Sequence, residues 1–265
     1  MTPARDAASG PARDRLDAHL VAIGAVETRT RAQAFILAGK VSVNGVRATR
    51  AGQPVRPGDD VTLADVDGWA SRGAFKLLHA VETFPQLREA LIGAACLDIG
   101  ASTGGFTDVL LRHGAASVIA LDVGYGQLHE RLRTDPRVVV MDRTNIRGVT
   151  PADLPFAPSV ATCDASFISV TLFLDAVCRL LTPDGLFAVL VKPQFEVGRD
   201  HVGKGGVVRD EAMRLGAAQK VVERACEVGF EVVGQSDSPL AGPSGNREIL
   251  LVLRKTRLDA SGPAA

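Results

Sequence analysis

Four polar residues, Lys76, Asp164, Lys192 and Glu248, fall where the local pattern predicts buried apolar structure or its immediate edge. Asp164 ends a predicted strand, and Lys192 ends the next one just before Pro193 stops it. Ligands of open sheets gather outside such carboxyl ends. Glu248 begins the last predicted strand, and its start shares that edge if the strand runs antiparallel to its neighbour. Lys76 lies in a predicted helix, Ser71–Leu78, which precedes the first strand and can point back over the rim. Two amines and two acids gathered there suit the removal of a proton from a weak acid, such as a ribose hydroxyl, while its oxygen is alkylated. A lysine of lowered basicity accepts the proton, a second ammonium nearby helps to lower it, and the carboxylates orient the amines while pushing the other way. Periodicity licenses only the shared edge. Two ordinary Lys–carboxylate salt bridges at the sheet rim would leave the same trace.

The place of an alkyl donor is marked by Cys96-Leu-Asp-Ile-Gly-Ala-Ser-Thr-Gly-Gly-Phe106, which reads as a buried strand, a glycine turn and a helix start. Its spacing is Gly100-x-Ser102-x-Gly104-Gly105. A dinucleotide fingerprint needs glycine where Ser102 stands, so that a pyrophosphate can approach the backbone. A cofactor without phosphates fits better. S-Adenosylmethionine is such a cofactor, and its sulfonium, ribose and adenine ask for carboxylates more than for a helix dipole. Asp98 lies at the end of the first strand, Asp122 closes the second and Asp142 the third. Asp122 stands roughly 20 residues beyond the turn, where a ribose partner is expected. Strand-end Asp residues also begin ordinary turns, but three in register with a glycine turn favour cofactor binding.

With 265 residues the chain exceeds the ~150 that serve as a soft prior for one domain, so a large domain with a smaller companion is expected. No apolar run reaches the length of a membrane span, since even Phe167–Leu174 is stopped by Asp175. The start of the chain has no signal-peptide pattern. Cys96, Cys163, Cys178 and Cys226 lack C-x-x-C spacing, which argues against a zinc site or a disulfide framework and fits a reducing cytoplasm. No metal and no membrane partner is expected, and the protein is expected to be a monomer. The formal net charge is zero, yet the segment from Arg13 to Arg56 holds Arg13, Arg15, Arg29, Arg31, Lys40, Arg47, Arg50 and Arg56 against Asp14, Asp17 and Glu27. That front module is basic, and the acids of the remainder mask it.

Residues 1–12 are expected to form a flexible arm. Leu16, Leu20 and Ile23 recur at helical spacing up to Gly24. Thr28 or Thr30 can cap a second helix that carries Ala34, Phe35 and Leu37 inward, with Gly39 as its left-handed stop. Val41-Ser-Val-Asn-Gly-Val46 carries the strongest short hairpin signal, and Pro57-Gly58 turns into a strand at Asp60–Leu63. The module spans 13–64. A linker over 65–71 contains Trp69, expected to pack the modules together. From there strands and helices alternate, with strands at Ala95–Ile99, Ser117–Asp122, Val138–Asp142, Ser159–Cys163, Leu186–Val191, Glu231–Ser236 and Glu248–Arg254. The fold class is α/β: a Rossmann-like seven-stranded sheet over 72–255, ending in an antiparallel hairpin, with a small N-terminal α+β domain and a tail over 256–265.

Arg15-Leu-Asp17, Thr30-Arg-Ala-Gln-Ala34, Gly39-Lys-Val-Ser-Val-Asn-Gly45 and Pro57-Gly-Asp59 resemble the RNA-binding module of small-subunit ribosomal protein four. The resemblance implies contacts to structured RNA through Arg15, Arg29, Arg31, Lys40 and Arg47, with Arg72 beyond the module. The whole chain from about Arg15 to Arg254 resembles the TlyA family of ribosomal RNA 2′-O-methyltransferases. Its motifs here are Ser71-Arg-Gly-Ala-Phe-Lys76, Asp98-x-Gly-Ala-Ser-Thr-Gly-Gly-Phe106, Asp122-Val-Gly-Tyr-Gly-Gln127, Asp164-Ala-Ser-Phe-Ile-Ser169, Val191-Lys-Pro-Gln-Phe-Glu196 and Gly242-Pro-Ser-Gly-Asn-Arg-Glu248. The catalytic part also resembles FtsJ-type ribose methyltransferases, which implies a tetrad of Lys76, Asp164, Lys192 and Glu248 with Lys192 as proton acceptor. The same resemblance implies an S-adenosyl-L-methionine site at Asp98, Gly100, Ser102, Thr103, Gly104, Gly105, Phe106, Asp122, Val123, Asp142 and Asp164. It also implies ribosomal RNA as partner, with cytidine in 23S, and in some members 16S, rRNA as target. The loop Gly198–Gly206 reads as a lid or as a mobile surface loop, with His201 exposed. The rival readings are a membrane-active haemolysin, a label this family has carried, and a small-molecule methyltransferase with a structural front module.

Overall fold

A computed structural model describes residues 14–256, except 24, 27, 38, 57, 64–67, 204 and 243 and the side chains at 31, 34 and 199. The expected arm over 1–12, the tail beyond Thr256, part of the expected linker and the Arg31 side chain lie outside the described residues. The chain divides into two compact units, Met1–Gly68 and Trp69–Ala265. Trp69, Ala70 and Ser71 therefore belong to the second unit rather than to a linker. Arg112 lies over the Trp69 ring at 4.2 Å, and the Ala70 amide donates to Asp108 Oδ2 at 2.9 Å.

The first unit runs β1 (Asp14–Arg15), α1 (Leu16–Ala22), α2 (Arg29–Leu37), β2 (Val41–Val43), β3 (Val46–Arg47), β4 (Pro54–Val55) and β5 (Val61–Leu63). Strand β2 pairs antiparallel with β3 and β5, and β1 with β4. Asn44 and Gly45 have φ of 52° and 75°, the two left-handed residues that a two-residue hairpin turn requires. Leu16, Leu20, Ala32, Ile36 and Val41 form the core. Two side chains expected to face inward do not. Ile23 lies past the end of α1 and is 53% exposed, and Leu37 is 75% exposed. The buried stripe of α2 is set by Ala32 and Ile36, one turn apart, and Leu37 is rotated off it.

The second unit opens with α3 (Ala74–Thr83) and α4 (Pro85–Ala90), then alternates β6 (Ala95–Ile99), α5 (Gly105–Arg112), β7 (Ser117–Leu121), α6 (Glu130–Arg133) and β8 (Val138–Met141). It continues with β9 (Val160–Cys163), α7 (Leu174–Leu180), β10 (Leu186–Val191), α8 (Pro193–Glu196), α9 (Glu211–Glu227), β11 (Phe230–Asp237) and β12 (Ile249–Lys255). The sheet order is β11-β12-β10-β9-β6-β7-β8. Strands β6 to β10 are parallel, while β12 runs antiparallel to β10 and β11. Alternate strand residues serve opposite faces. Cys96 joins the core under α3, α4 and α5, whereas Leu97 and Ile99 join the core under α7 and α9. Burial on both faces explains the nearly unbroken apolar runs of β10 and β12. The parallel strands end, and β12 begins, at one rim.

Candidate active site

The glycine turn sets the rim's geometry. Gly104 caps α5 with φ 95°, a conformation that side chains rarely adopt. A Cβ at Gly105 would overlap Ser71 Oγ and the Ala74 amide, so the bare Gly105 backbone lets the start of α3 close onto the start of α5. That approach carries Lys76, three residues into α3, over the ends of the central strands.

Lys76 Nζ donates to Glu248 Oε2 at 2.6 Å and lies 3.5 Å from Asp164 Oδ2. The other oxygen of the same carboxylate, Asp164 Oδ1, is 2.7 Å from Lys192 Nζ. The four groups thus form one line, Glu248–Lys76–Asp164–Lys192. Both lysines and Glu248 are buried, whereas Asp164 is half-buried. The two amines are not equivalent. Burial pulls Lys76 down, but the carboxylates of Asp164 and Glu248 outweigh it and hold its pKa above the ordinary lysine value. Lys192 meets one carboxylate, and its other partners are neutral: the Asp164 carbonyl at 3.1 Å and Ser166 Oγ at 2.7 Å.

On the other side of the turn, Asp122 accepts from the amides of Ser102 at 2.8 Å and Gly124 at 2.7 Å. Asp142 accepts from the Gly126 amide at 2.9 Å. Ser102, Thr103 and Val123 are exposed at this edge. Two residues expected among the cofactor contacts sit elsewhere. Asp98 is wholly buried and accepts from Thr107 Oγ1 at 2.6 Å and Thr162 Oγ1 at 3.1 Å, and burial raises its pKa to about 6. Phe106 is packed in the core under α3. Both are turned inward behind the turn rather than presented at its mouth. The groups that remain at the edge fit S-adenosylmethionine better than a phosphate ligand: residues 98–106 carry no cation, and two carboxylates line the rim.

Several residues at the rim were not singled out by sequence reasoning. Phe167, three positions after Asp164, is 91% exposed, has φ 67° and packs on Phe195 with ring centroids 5.5 Å apart. The loop before Glu248 is pinned by buried Asn246, which accepts from the Val208 amide at 2.9 Å and donates to the Gly206 carbonyl at 2.8 Å. Arg247 bridges Glu211 at 3.2 Å and Asp237 at 2.8 Å. The glycine-rich loop is therefore fastened at its end to the segment that delivers Glu248, and His201 within it is exposed.

In the first unit, Arg15 and Arg29 both contact the buried Asp17 carboxylate, at 3.0 and 3.1 Å, and remain more than half exposed. Gln33 donates to the same carboxylate at 2.9 Å. These contacts hold the Asp17 pKa well below the usual range, led by the Arg15 hydrogen bond. Lys40 is exposed, 5.9 Å from the Phe35 ring centroid, and exposed Arg47 lies across Gly39. Arg72 sits in the second unit, half-buried in the turn before α3.

Residues 69–255 match the family described as FtsJ-like methyltransferase, and residues 14–61 match the S4 domain. The chain is 47% identical, over 91% of its length and 90% of the relative, to the 16S/23S rRNA (cytidine-2′-O)-methyltransferase TlyA of Mycobacterium tuberculosis. It is 39% identical, over 89% of its length and 98% of the relative, to Hemolysin A of Brachyspira hyodysenteriae. A solved structure described as a putative hemolysin from Streptococcus thermophilus is similar at a TM-score of 0.78, with 38% identity, over 92% of this chain and 89% of that one.

Proposed function

The chain belongs to the TlyA family of FtsJ-like methyltransferases, and from that membership we propose that it methylates the 2′-hydroxyl of cytidine in ribosomal RNA, using S-adenosylmethionine. The observation that carries this reading is the line Glu248–Lys76–Asp164–Lys192 at the sheet rim. A ribose hydroxyl is a poor acid and must lose its proton as its oxygen is alkylated, whereas the sulfonium methyl of the bound cofactor is already a good electrophile. Lys192 is the residue suited to take that proton, because Lys76 stands between two carboxylates and stays an ammonium. Asp164 holds both amines in place, and Glu248 fixes Lys76.

Asp122 and Asp142 are assigned to the ribose and adenine side, with Ser102, Thr103 and Val123 lining the edge. Phe167, exposed three residues after Asp164, is assigned as the stacking surface for the target base, an arrangement open to any base and sharpened by contacts at its edge. Arg15, Arg29, Arg31, Lys40, Arg47 and Arg72 are assigned to RNA phosphates.

The substrate we infer is cytidine in 23S rRNA, with 16S rRNA as a second target, and the protein is taken to work as a monomer in the cytoplasm. No described helix is long and apolar enough to cross a membrane, and the hemolysin names of two relatives leave the buried lysine–carboxylate line without a use. Dye release from liposomes by the purified chain would revive that reading. The deciding experiment incubates each ribosomal RNA, as RNA and as subunits, with the chain and labelled cofactor, then maps fragments by mass. One cytidine should gain a methyl mass, and its 3′ linkage should resist alkali. A full-length chain that labels no cytidine in any substrate refutes the assignment. Deleting residues 1–67 should abolish labelling while cofactor binding persists; unchanged turnover would favour a small-molecule substrate.

A further inference from the structure

We propose that Glu196 is a positioning residue that holds Asp164, Ser166 and Phe167 in register with Lys192, an inference that rests on the methyl-transfer reading above. Glu196 ends α8, four residues after Lys192, and is only 4% exposed. Its Oε2 accepts from Ser169 Oγ at 2.5 Å and its Oε1 from the Val170 amide at 2.7 Å. Those donors sit at the far end of the loop that begins with Asp164. At the near end the Asp164 amide donates to the Ile99 carbonyl of β6 at 3.2 Å. The loop is thus tied to the sheet at one end and to the Lys192 segment at the other.

Everything that touches Lys192 from this loop lies between the two ties: the Asp164 carboxylate and carbonyl and Ser166 Oγ. Phe167, left-handed at φ 67°, meets Phe195, the residue just before Glu196. The α8 turn is itself anchored from α9, where Lys220 Nζ donates to the Glu196 carbonyl at 3.0 Å. An acid in this place is otherwise unfavourable, and burial raises its pKa. An apolar side chain would fill the same volume without that cost. What it could not supply is two directed acceptors for the loop. The Phe167 strain and the buried acid together mark a loop fixed in one conformation rather than left to find it.

The test uses the full chain with Glu196→Ala, Glu196→Gln and Ser169→Ala, measured for kcat and KM on the RNA that the wild-type chain methylates, and for cofactor binding by calorimetry. Glu196→Ala should lower kcat about 10–100-fold, the size expected of a misplaced reacting group, with cofactor affinity unchanged. Glu196→Gln should recover most of kcat, since its amide can accept from Val170 and donate to Ser169, whose hydroxyl already meets Thr171 Oγ1 at 2.7 Å. Ser169→Ala, which cuts one tie from the loop side, should lower kcat by less. Wild-type kcat in Glu196→Ala overturns the inference, as does a fall in kcat that Glu196→Gln does not recover or that cofactor affinity follows in parallel. A wild-type chain that methylates no RNA removes the reaction reading and this inference with it, and the wild-type control tells that case apart.

Discussion

Lys76 and Glu248 are 172 residues apart in the chain and 2.6 Å apart at Nζ and Oε2. The first helix of the second unit meets the start of the last strand of its sheet, so the line Glu248–Lys76–Asp164–Lys192 exists only when that unit has folded. Glu248→Gln keeps an acceptor for Lys76 but removes a charge, and burial then weighs more heavily against the ammonium. Turnover should fall about 10–100-fold with a smaller loss of stability than in Glu248→Ala, which also removes the acceptor and should cost about 3–5 kcal/mol, the range for a buried ion pair stripped of one partner. Parallel urea titrations and initial rates check both. Equal activity in Glu248→Gln and wild type would leave the carboxylate charge without a role.

Lys192→Met keeps the volume of the side chain and removes its nitrogen. Asp164 then retains Lys76 alone, at 3.5 Å. Methyl transfer should fall by about 10²–10⁴, the usual contribution of a positioned base, while cofactor binding by calorimetry should stay unchanged if the cofactor rests on the proposed Asp122 and Asp142 edge, which the substitution leaves untouched. Activity within tenfold of wild type would move the proton to another acceptor.

The sheet was legible because most of its strands are short apolar runs that stop at or beside Asp or Lys, and every strand expected in it agrees with the observed one to within one residue at each end. The shared rim followed from those ends. Contact did not, because nothing local to Lys76 says that Gly105 lets α3 close onto α5. Asp98 shows the opposite limit. From sequence it is one more strand-end acid, and only the approach of Thr107 from α5 and Thr162 from β9 turns it into a sealed group. Glu196 entered only as the last residue of the motif Val191-Lys-Pro-Gln-Phe-Glu196, and Phe167 as the start of an apolar run. The one trace each left was a departure from pattern: a charge directly after Val191-Lys-Pro-Gln-Phe, and an aromatic directly after the small pair Ala165-Ser166.

Phe167→Ala removes a ring that is almost entirely in solvent, so its melting temperature should match wild type. If the ring receives the target base, kcat/KM on RNA should drop about tenfold or more, since base–aromatic stacking is worth about 1–3 kcal/mol. Phe167→Trp should restore it. The drop should vanish in assays of cofactor binding alone. A variant with normal kcat/KM would free Phe167 from any role in binding the base.

Asp98 gives a prediction whose sign is fixed by its burial. Its folded carboxyl has a pKa of about 6, above the unfolded value of 3.8, so the native state binds this proton more tightly than the unfolded chain. That contribution to stability is present below the unfolded value and is lost as pH rises through about 6. The difference between the two values corresponds to about 3 kcal/mol at most. Asp98→Asn is neutral at every pH, and the hydroxyls of Thr107 and Thr162 can each donate or accept. From about pH 4 to about pH 8, wild type should therefore lose about 2 kcal/mol relative to Asp98→Asn, read as the divergence of two urea-unfolding series. Parallel series would mean that the buried carboxyl ionises at its ordinary pH, held by the two threonines strongly enough to cancel its loss of water. A cofactor contact at Asp98 would appear differently, as weakened binding in Asp98→Asn. The sealed position behind the turn leads us to expect unchanged affinity.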